Sequence, residues 1–234
     1  MEIYYDGLDF TTFGAYDCVK GFTTNTALVR AAGVKKSYSS IFSDAATSIQ
    51  GRPVSFQVWA DNETEVVEQA VQISRIGPNV FAKVTVVNSV GASNVPSIAR
   101  LVASGIRVNV TAVFTTVQID EIREALARSL PIGLECVVSI FSGRISDTGV
   151  DPRPTIRYAI NAFKIIPSVK ILWAGCKDVT AINAALEEGC HIITVPGDIL
   201  LRFVSRKGMD LLELSIDTAK MFRKEALGGS LSIY

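Results

Sequence analysis

The chain has 234 residues, enough for one large domain with a sizeable core. Its 23 basic and 23 acidic residues cancel, and with 48% apolar and 20% charged residues nothing favours nucleic acid or a membrane surface as the main partner. The four cysteines (Cys18, Cys136, Cys176, Cys190) are widely spaced, with no C-x-x-C pair and the single histidine His191, so zinc spacing is absent and free thiols in the cytoplasm are expected.

Taken in order, short apolar runs alternate with helical patterns. Strands are predicted at Glu2–Asp6, Gly21–Asn25, Val54–Val58, Val80–Val87, Arg107–Phe114, Glu135–Phe141, Lys170–Gly175 and His191–Pro196. Met1–Asp6 lacks the basic and apolar regions of a signal peptide, and no apolar stretch reaches the ~18 residues of a membrane span. Between the strands lie amphipathic patterns such as Glu63–Arg75, Ile119–Arg128, Pro154–Ile165 and Val179–Glu187. Asn94-Val95-Pro96 reads as a helix start, and Gly105, Gly133 and Gly189 fall at helix ends that need a left-handed cap. Eight strands alternating with helices predict an α/β fold, the (β/α)₈ TIM barrel. The rival doubly wound sheet should carry G-x-G-x-x-G after its first strand, and Tyr5-Asp6-Gly7-Leu8-Asp9-Phe10 has none. With no linker or low-complexity tract, residues 1–234 are expected to form one domain. An extra C-terminal helix, about 209–226, carries Leu211, Leu212, Leu214, Ile216 and Met221, more apolar surface than a solvated tail needs. It is expected to pack on a neighbouring subunit.

The fourth run, Val80-Phe81-Ala82-Lys83-Val84-Thr85-Val86-Val87, is broken by one lysine. A strand this apolar is buried on both faces, and burial disfavours the ammonium, leaving an amine that can attack a carbonyl. The alternative is a strand-end lysine whose head reaches water. Barrel chemistry gathers at the C-terminal ends of strands. There the sequence offers Asp6, Thr24 with Asn25, Gln57, Lys83 with Thr85, Asn109 with Thr111, Ser139 with Arg144, and Lys177.

These motifs resemble the transaldolase family, particularly its short-chain branch that includes fructose-6-phosphate aldolase. Tyr4-Tyr5-Asp6 resembles its first-strand motif, Gly21-Phe22-Thr23-Thr24-Asn25-Thr26 its G-V-T-T-N-P, and Ala82-Lys83-Val84-Thr85-Val86 its V-K-I-P-V/M. Asn109-Val110-Thr111-Ala112-Val113-Phe114 resembles N-V-T-L-I-F, Val138-Ser139-Ile140-Phe141-Ser142-Gly143-Arg144 resembles V-S-P-F-V-G-R, and His191–Pro196 the last strand. The matches run in family order along nearly the whole chain.

The resemblance implies a class I aldol reaction without metal or organic cofactor. Lys83 matches the Schiff-base lysine and Asp6 the acid/base carboxylate. Gln57 and Thr111 match the pair that holds the proton-shuttling water. Thr24, Asn25, Asn109, Ser139 and Phe141 match the substrate surround, and Arg144 the phosphate-binding arginine, with Gly175 and Lys177 in the anion site. The implied partners are sugar phosphates, and the implied assembly is a homo-oligomer, pentamer or decamer. Four departures qualify this. Position 57 is Gln where most transaldolases have Glu; position 141 is Phe where the aldolases have Tyr. Trp173-Ala174-Gly175-Cys176-Lys177 lacks the family's serine, and Thr26 and Ile140 replace prolines. Transfer against free cleavage stays open. So do other roles: Asp6 pairing with Lys83 as a buried salt bridge, hydroxyls and amides satisfying barrel backbone, Arg144 pairing with Asp147, and Trp173 as packing. At the level of function the alternatives are another barrel lyase or isomerase, or a sugar-phosphate-binding barrel with little turnover.

Overall fold

The computed structural model describes residues 1–229 and 232. Eight parallel strands, β1 (Glu2–Asp6), β2 (Val19–Thr23), β3 (Val54–Gln57), β4 (Val80–Thr85), β5 (Val108–Val113), β6 (Cys136–Ile140), β7 (Val169–Trp173) and β8 (Ile192–Pro196), pair in chain order, and β8 closes onto β1. The helices are α1 (Phe10–Gly14), α2 (Thr26–Ala31), α3 (Tyr38–Ile49), α4 (Glu63–Ser74), α5 (Val95–Ala103), α6 (Thr116–Ser129), α7 (Ser142–Asp147), α8 (Arg153–Phe163), α9 (Thr180–Glu187), α10 (Gly197–Arg206) and α11 (Leu211–Gly228). This is the expected (β/α)₈ barrel.

The strand centres lie where the apolar runs predict, and the ends differ for local reasons. The second strand spans Val19–Thr23 rather than Gly21–Asn25, because Asn25 caps α2: its Oδ1 accepts from Leu28 N at 2.9 Å. The fourth stops at Thr85, and beyond it the Val86 carbonyl accepts from Asn94 N. Asn94 does precede α5, but its amide donates to the Thr85 carbonyl (3.1 Å) instead of capping the helix. Gly105, Gly133 and Gly189 adopt the left-handed conformation expected of them.

Two apolar layers result from the strand alternation. Inside the barrel Tyr4, Phe81, Val137, Leu172, Ala174 and Ile192 pack together, with Phe141 against them. Gly21 makes this packing possible, since a Cβ there would lie 2.6 Å from the Tyr4 ring. Between strands and helices Phe22, Phe56, Ile98, Leu101, Ile122 and Ile156 are fully buried. Each such side chain contributes about 1.5–3 kcal/mol, against about 0–1 kcal/mol for exposed ion pairs such as Arg100–Glu63. Burial therefore holds the fold, and the charged surface adds little. Trp173 belongs to this packing, being 4% exposed. His191 is also structural: its Nδ1 accepts from Ile171 N at 3.0 Å.

The chain divides into two compact units, Met1–Leu200, which contains all eight strands, and Leu201–Tyr234, which contains α11. The C-terminal helix expected at about 209–226 runs over Leu211–Gly228, and its start is fixed by Asp210, which caps it by accepting from Leu212 N and Glu213 N. Among the described residues no helix is long and apolar enough to cross a membrane.

Candidate active site

Register brings the polar strand ends together. Gln57 pairs with Lys83, Lys83 with Asn109, Thr85 with Thr111, and Asp6 with Thr23. Lys83 does not extend to the outer surface. It is 6% exposed, and its Nζ donates to the Thr24 carbonyl at 3.1 Å. Burial pushes its proton affinity well below the ordinary lysine range, while the charge of Asp6 opposes that shift. At the end of β1, half-buried Asp6 responds the opposite way. Desolvation raises its carboxyl, with the Lys83 charge and a hydrogen bond from Thr23 pulling it back. Thr23 Oγ1 donates to Asp6 Oδ1 at 2.7 Å, and Thr194 Oγ1 lies 2.5 Å from Thr23 Oγ1. With the single Thr23 proton already committed to the carboxylate, Thr194 donates to Thr23. A two-hydroxyl chain thus runs from β8 through β2 to Asp6.

Across the barrel the Thr111 hydroxyl is buried without a hydrogen-bond partner among the described residues. A buried hydroxyl left unmatched needs a reason, and a water or substrate oxygen supplies one. The strand is irregular at this point: the β5–β6 register slips between Val110 and Val113, and Ala112 takes φ 57°. A left-handed alanine inside a strand is strained and re-aims its neighbours. The Gln57 amide nitrogen donates to the Val58 and Lys83 carbonyls, both at 3.0 Å, leaving Oε1 as the atom able to accept from a molecule in the cavity. Asn25, Gln57, Lys83, Thr111, Phe141 and Arg144 all line one cavity of about 530 Å³ at the barrel mouth. Among the described residues no group of three or more His, Cys, Asp or Glu is placed to hold a metal ion.

The model of the transaldolase/fructose-6-phosphate aldolase family matches residues 3–229. The chain belongs to this family. Among its relatives, a probable transaldolase of Desulforudis audaxviator is 27% identical over 216 residues, covering 90% of this chain and 93% of that one. A probable transaldolase of Bacillus cereus is 29% identical over 191 residues, covering 81% and 82%. The probable transaldolase 2 of Listeria monocytogenes is 27% identical over 185 residues, covering 77% of each. Among solved structures, a cube-shaped porous protein cage designed by fusing symmetric oligomeric domains superposes with a TM-score of 0.53 at 13% identity, over 98% of this chain and 79% of that one; the likeness is of fold alone. The protein is accordingly a transaldolase- or aldolase-type enzyme.

Not every residue that resembles a family site lines the cavity of this aldolase-type barrel. Thr24 is fully buried, with its hydroxyl spent on the Ser55 carbonyl at 2.8 Å. Asn109 and Ser139 form a buried chain: Ser139 Oγ donates to Asn109 Oδ1 (2.7 Å), and Asn109 Nδ2 donates to Ser55 Oγ (3.1 Å). Gly175 sits beyond β7 with φ 74°, and its carbonyl packs so close to Gly143 that a Cβ on Gly143 would lie 1.8 Å from it. Arg144 stays exposed, 5.9 Å above the Phe141 ring; Asp147 goes instead to Lys177, at 3.1 Å.

Sequence reasoning passed over Thr23 and Thr194 as site residues. The strand-end set and the Gly21–Thr26 motif singled out Thr24, whereas the hydroxyl facing Asp6 belongs to its neighbour. Trp59, 62% exposed at the cavity rim, was equally unmarked, although an aromatic two residues past Gln57 in a strand-end segment was a readable signal.

Proposed function

We propose that this enzyme cleaves or transfers a dihydroxyacetone unit from a ketose phosphate such as fructose 6-phosphate, through a Schiff base on Lys83. The supporting observation is a buried lysine with depressed proton affinity that shares the barrel end with a carboxylate of raised pKa. Neutral Nζ adds to the keto carbon of the sugar, and loss of water leaves a protonated imine. The C4 hydroxyl then gives its proton to Asp6 while the C3–C4 bond breaks, its electron pair moving into the enamine as the aldehyde leaves. The enamine either adds to an acceptor aldehyde or takes a proton and is hydrolysed. The unpartnered Thr111 hydroxyl and Gln57 Oε1 are suited to hold the water lost and regained at the imine. Gln57 orients that water but cannot take its proton, so Asp6 carries the acid/base work. Arg144 at the rim suits a phosphate. The natural substrates are thus sugar phosphates, and the setting is the cytoplasm.

The test is turnover of fructose 6-phosphate, with and without an acceptor aldehyde, by the enzyme and its Lys83→Met variant. Met fits an apolar strand, so the fold should persist while activity falls by more than ~10³-fold. Residual turnover within tenfold of the parent would exclude a Schiff base at this position. Ligand binding without product in the parent enzyme would favour a sugar-phosphate-binding barrel, the reading to which the Lys177–Asp147 pair and the missing hydroxyl at Gly175 lend support.

The reading extends to assembly. On α11, Leu211, Leu212, Ile216, Met221, Phe222 and Leu227 remain exposed on the single chain. Packing this helix on a neighbouring copy would bury much of that apolar surface, consistent with a homo-oligomer.

A further inference from the structure

Beside the mouth lies a second cavity, of about 460 Å³, walled by Val29, Arg30, Val34, Lys35, Tyr38 and Trp59. The two cavities adjoin, since Thr26 and Trp59 line both. The Trp59 indole stands 62% exposed and meets Tyr38 edge-on, with ring centroids 5.6 Å apart. Tyr38 in turn stacks on buried Phe56 at 4.7 Å and donates its hydroxyl to the Gln57 carbonyl at 3.1 Å. The aromatic wall is therefore fastened to the strand that carries Gln57.

Charge marks the far side of this cavity. Lys36 is committed to Asp44 at 2.6 Å, but Arg30 and Lys35 have no anionic partner among the described residues. Near Arg144, by contrast, Asp147 neutralises Lys177 and position 175 offers no hydroxyl, which leaves Arg144 as the cation there. An indole face, two valines and two uncompensated cations suit a ligand with a planar or apolar body and an anionic end.

We propose that this second cavity is an additional acceptor subsite, separate from the place of a sugar aldehyde's phosphate at Arg144: it receives the tail of an acceptor aldehyde that has a planar or apolar body and a terminal carboxylate or phosphate, with its carbonyl end directed past Trp59 toward Lys83. The inference rests on the Schiff-base reading for its chemistry but not for its binding. Its test starts with probes that cannot form an imine, phenyl phosphate and phenylacetate, titrated separately against tryptophan fluorescence in the Lys83→Met variant. Trp59 is exposed and Trp173 is 4% exposed, so quenching reports on the cavity wall. Saturable quenching by either probe is expected and identifies the preferred anion. Adding Arg30→Ala and Lys35→Ala should weaken it about tenfold, whereas adding Arg144→Ala should leave it within about twofold.

In the otherwise unaltered enzyme the Arg30→Ala/Lys35→Ala pair should raise KM for 4-carboxybenzaldehyde as acceptor about tenfold and leave KM for glycolaldehyde unchanged. Absence of quenching by both probes, equal binding by the double variant, or loss that follows Arg144 instead would overturn the assignment. Failure of the Schiff-base reading would show separately, as turnover retained by the Lys83→Met variant with probe binding intact.

Discussion

Lys83 and Asp6 are displaced in opposite directions by one cause, because burial favours the neutral form of each. The proposed Schiff-base chemistry needs the neutral amine and, at bond cleavage, the charged carboxylate. The first is supplied by burial. The second is favoured by the positive charge at Lys83, carried by the protonated imine at that step, and by the Thr23 hydroxyl, which oppose the desolvation of Asp6. Removing the hydroxyl should therefore let the Asp6 carboxyl rise further. In the Thr23→Val variant the acid limb of the kcat/KM profile is expected to move to higher pH, while Thr23→Ser restores the parent profile. An unmoved limb in a folded Thr23→Val protein would mean that the hydroxyl chain does not tune the carboxylate. The lysine and aspartate were legible as residue types at strand ends. Thr23 and Thr194 were not, since their contact with Asp6 exists only after β8 closes onto β1 and sets the register.

At the scale of elements, the apolar runs located every strand, because a buried parallel strand leaves a near-continuous apolar signature. The boundaries were harder. Asn25 reads as the end of a strand motif, yet its side chain serves better as the cap of α2, a local competition that periodicity cannot resolve. The bulge in β5 was also illegible, as Ala112 carries no sequence mark of a left-handed conformation. The contact between α7 and the segment after β7 gives a sharp test. A Cβ on Gly143 would sit 1.8 Å from the Gly175 carbonyl oxygen, and backbone cannot rotate away as a flexible side chain does. Gly143→Ala should destabilise the protein by about 1–3 kcal/mol or more, read as a lower urea midpoint, and should perturb phosphate-dependent KM through the adjacent Arg144. A midpoint equal to that of the parent would show that the two backbones can separate freely.

For the whole molecule, alternation of eight strands with helices identified the barrel, and ordered motifs from Tyr4 to Pro196 pointed to the family whose model matches residues 3–229. Which residues of each motif face the cavity was not readable, because Asn109 and Ser139, on separate strands, satisfy one another inside the barrel. Assembly was legible only as excess apolar surface on α11, whose exposed face predicts that sedimentation equilibrium will give a multiple of the 25.2 kDa chain mass; a single-chain mass at micromolar concentration would contradict it. The most direct test of the chemistry is covalent capture. Incubated with dihydroxyacetone and reduced with borohydride, the enzyme should carry one added three-carbon unit, and peptide mapping should place it on Lys83. A protein that stays unmodified while remaining active, or an adduct on any other lysine, would contradict the account.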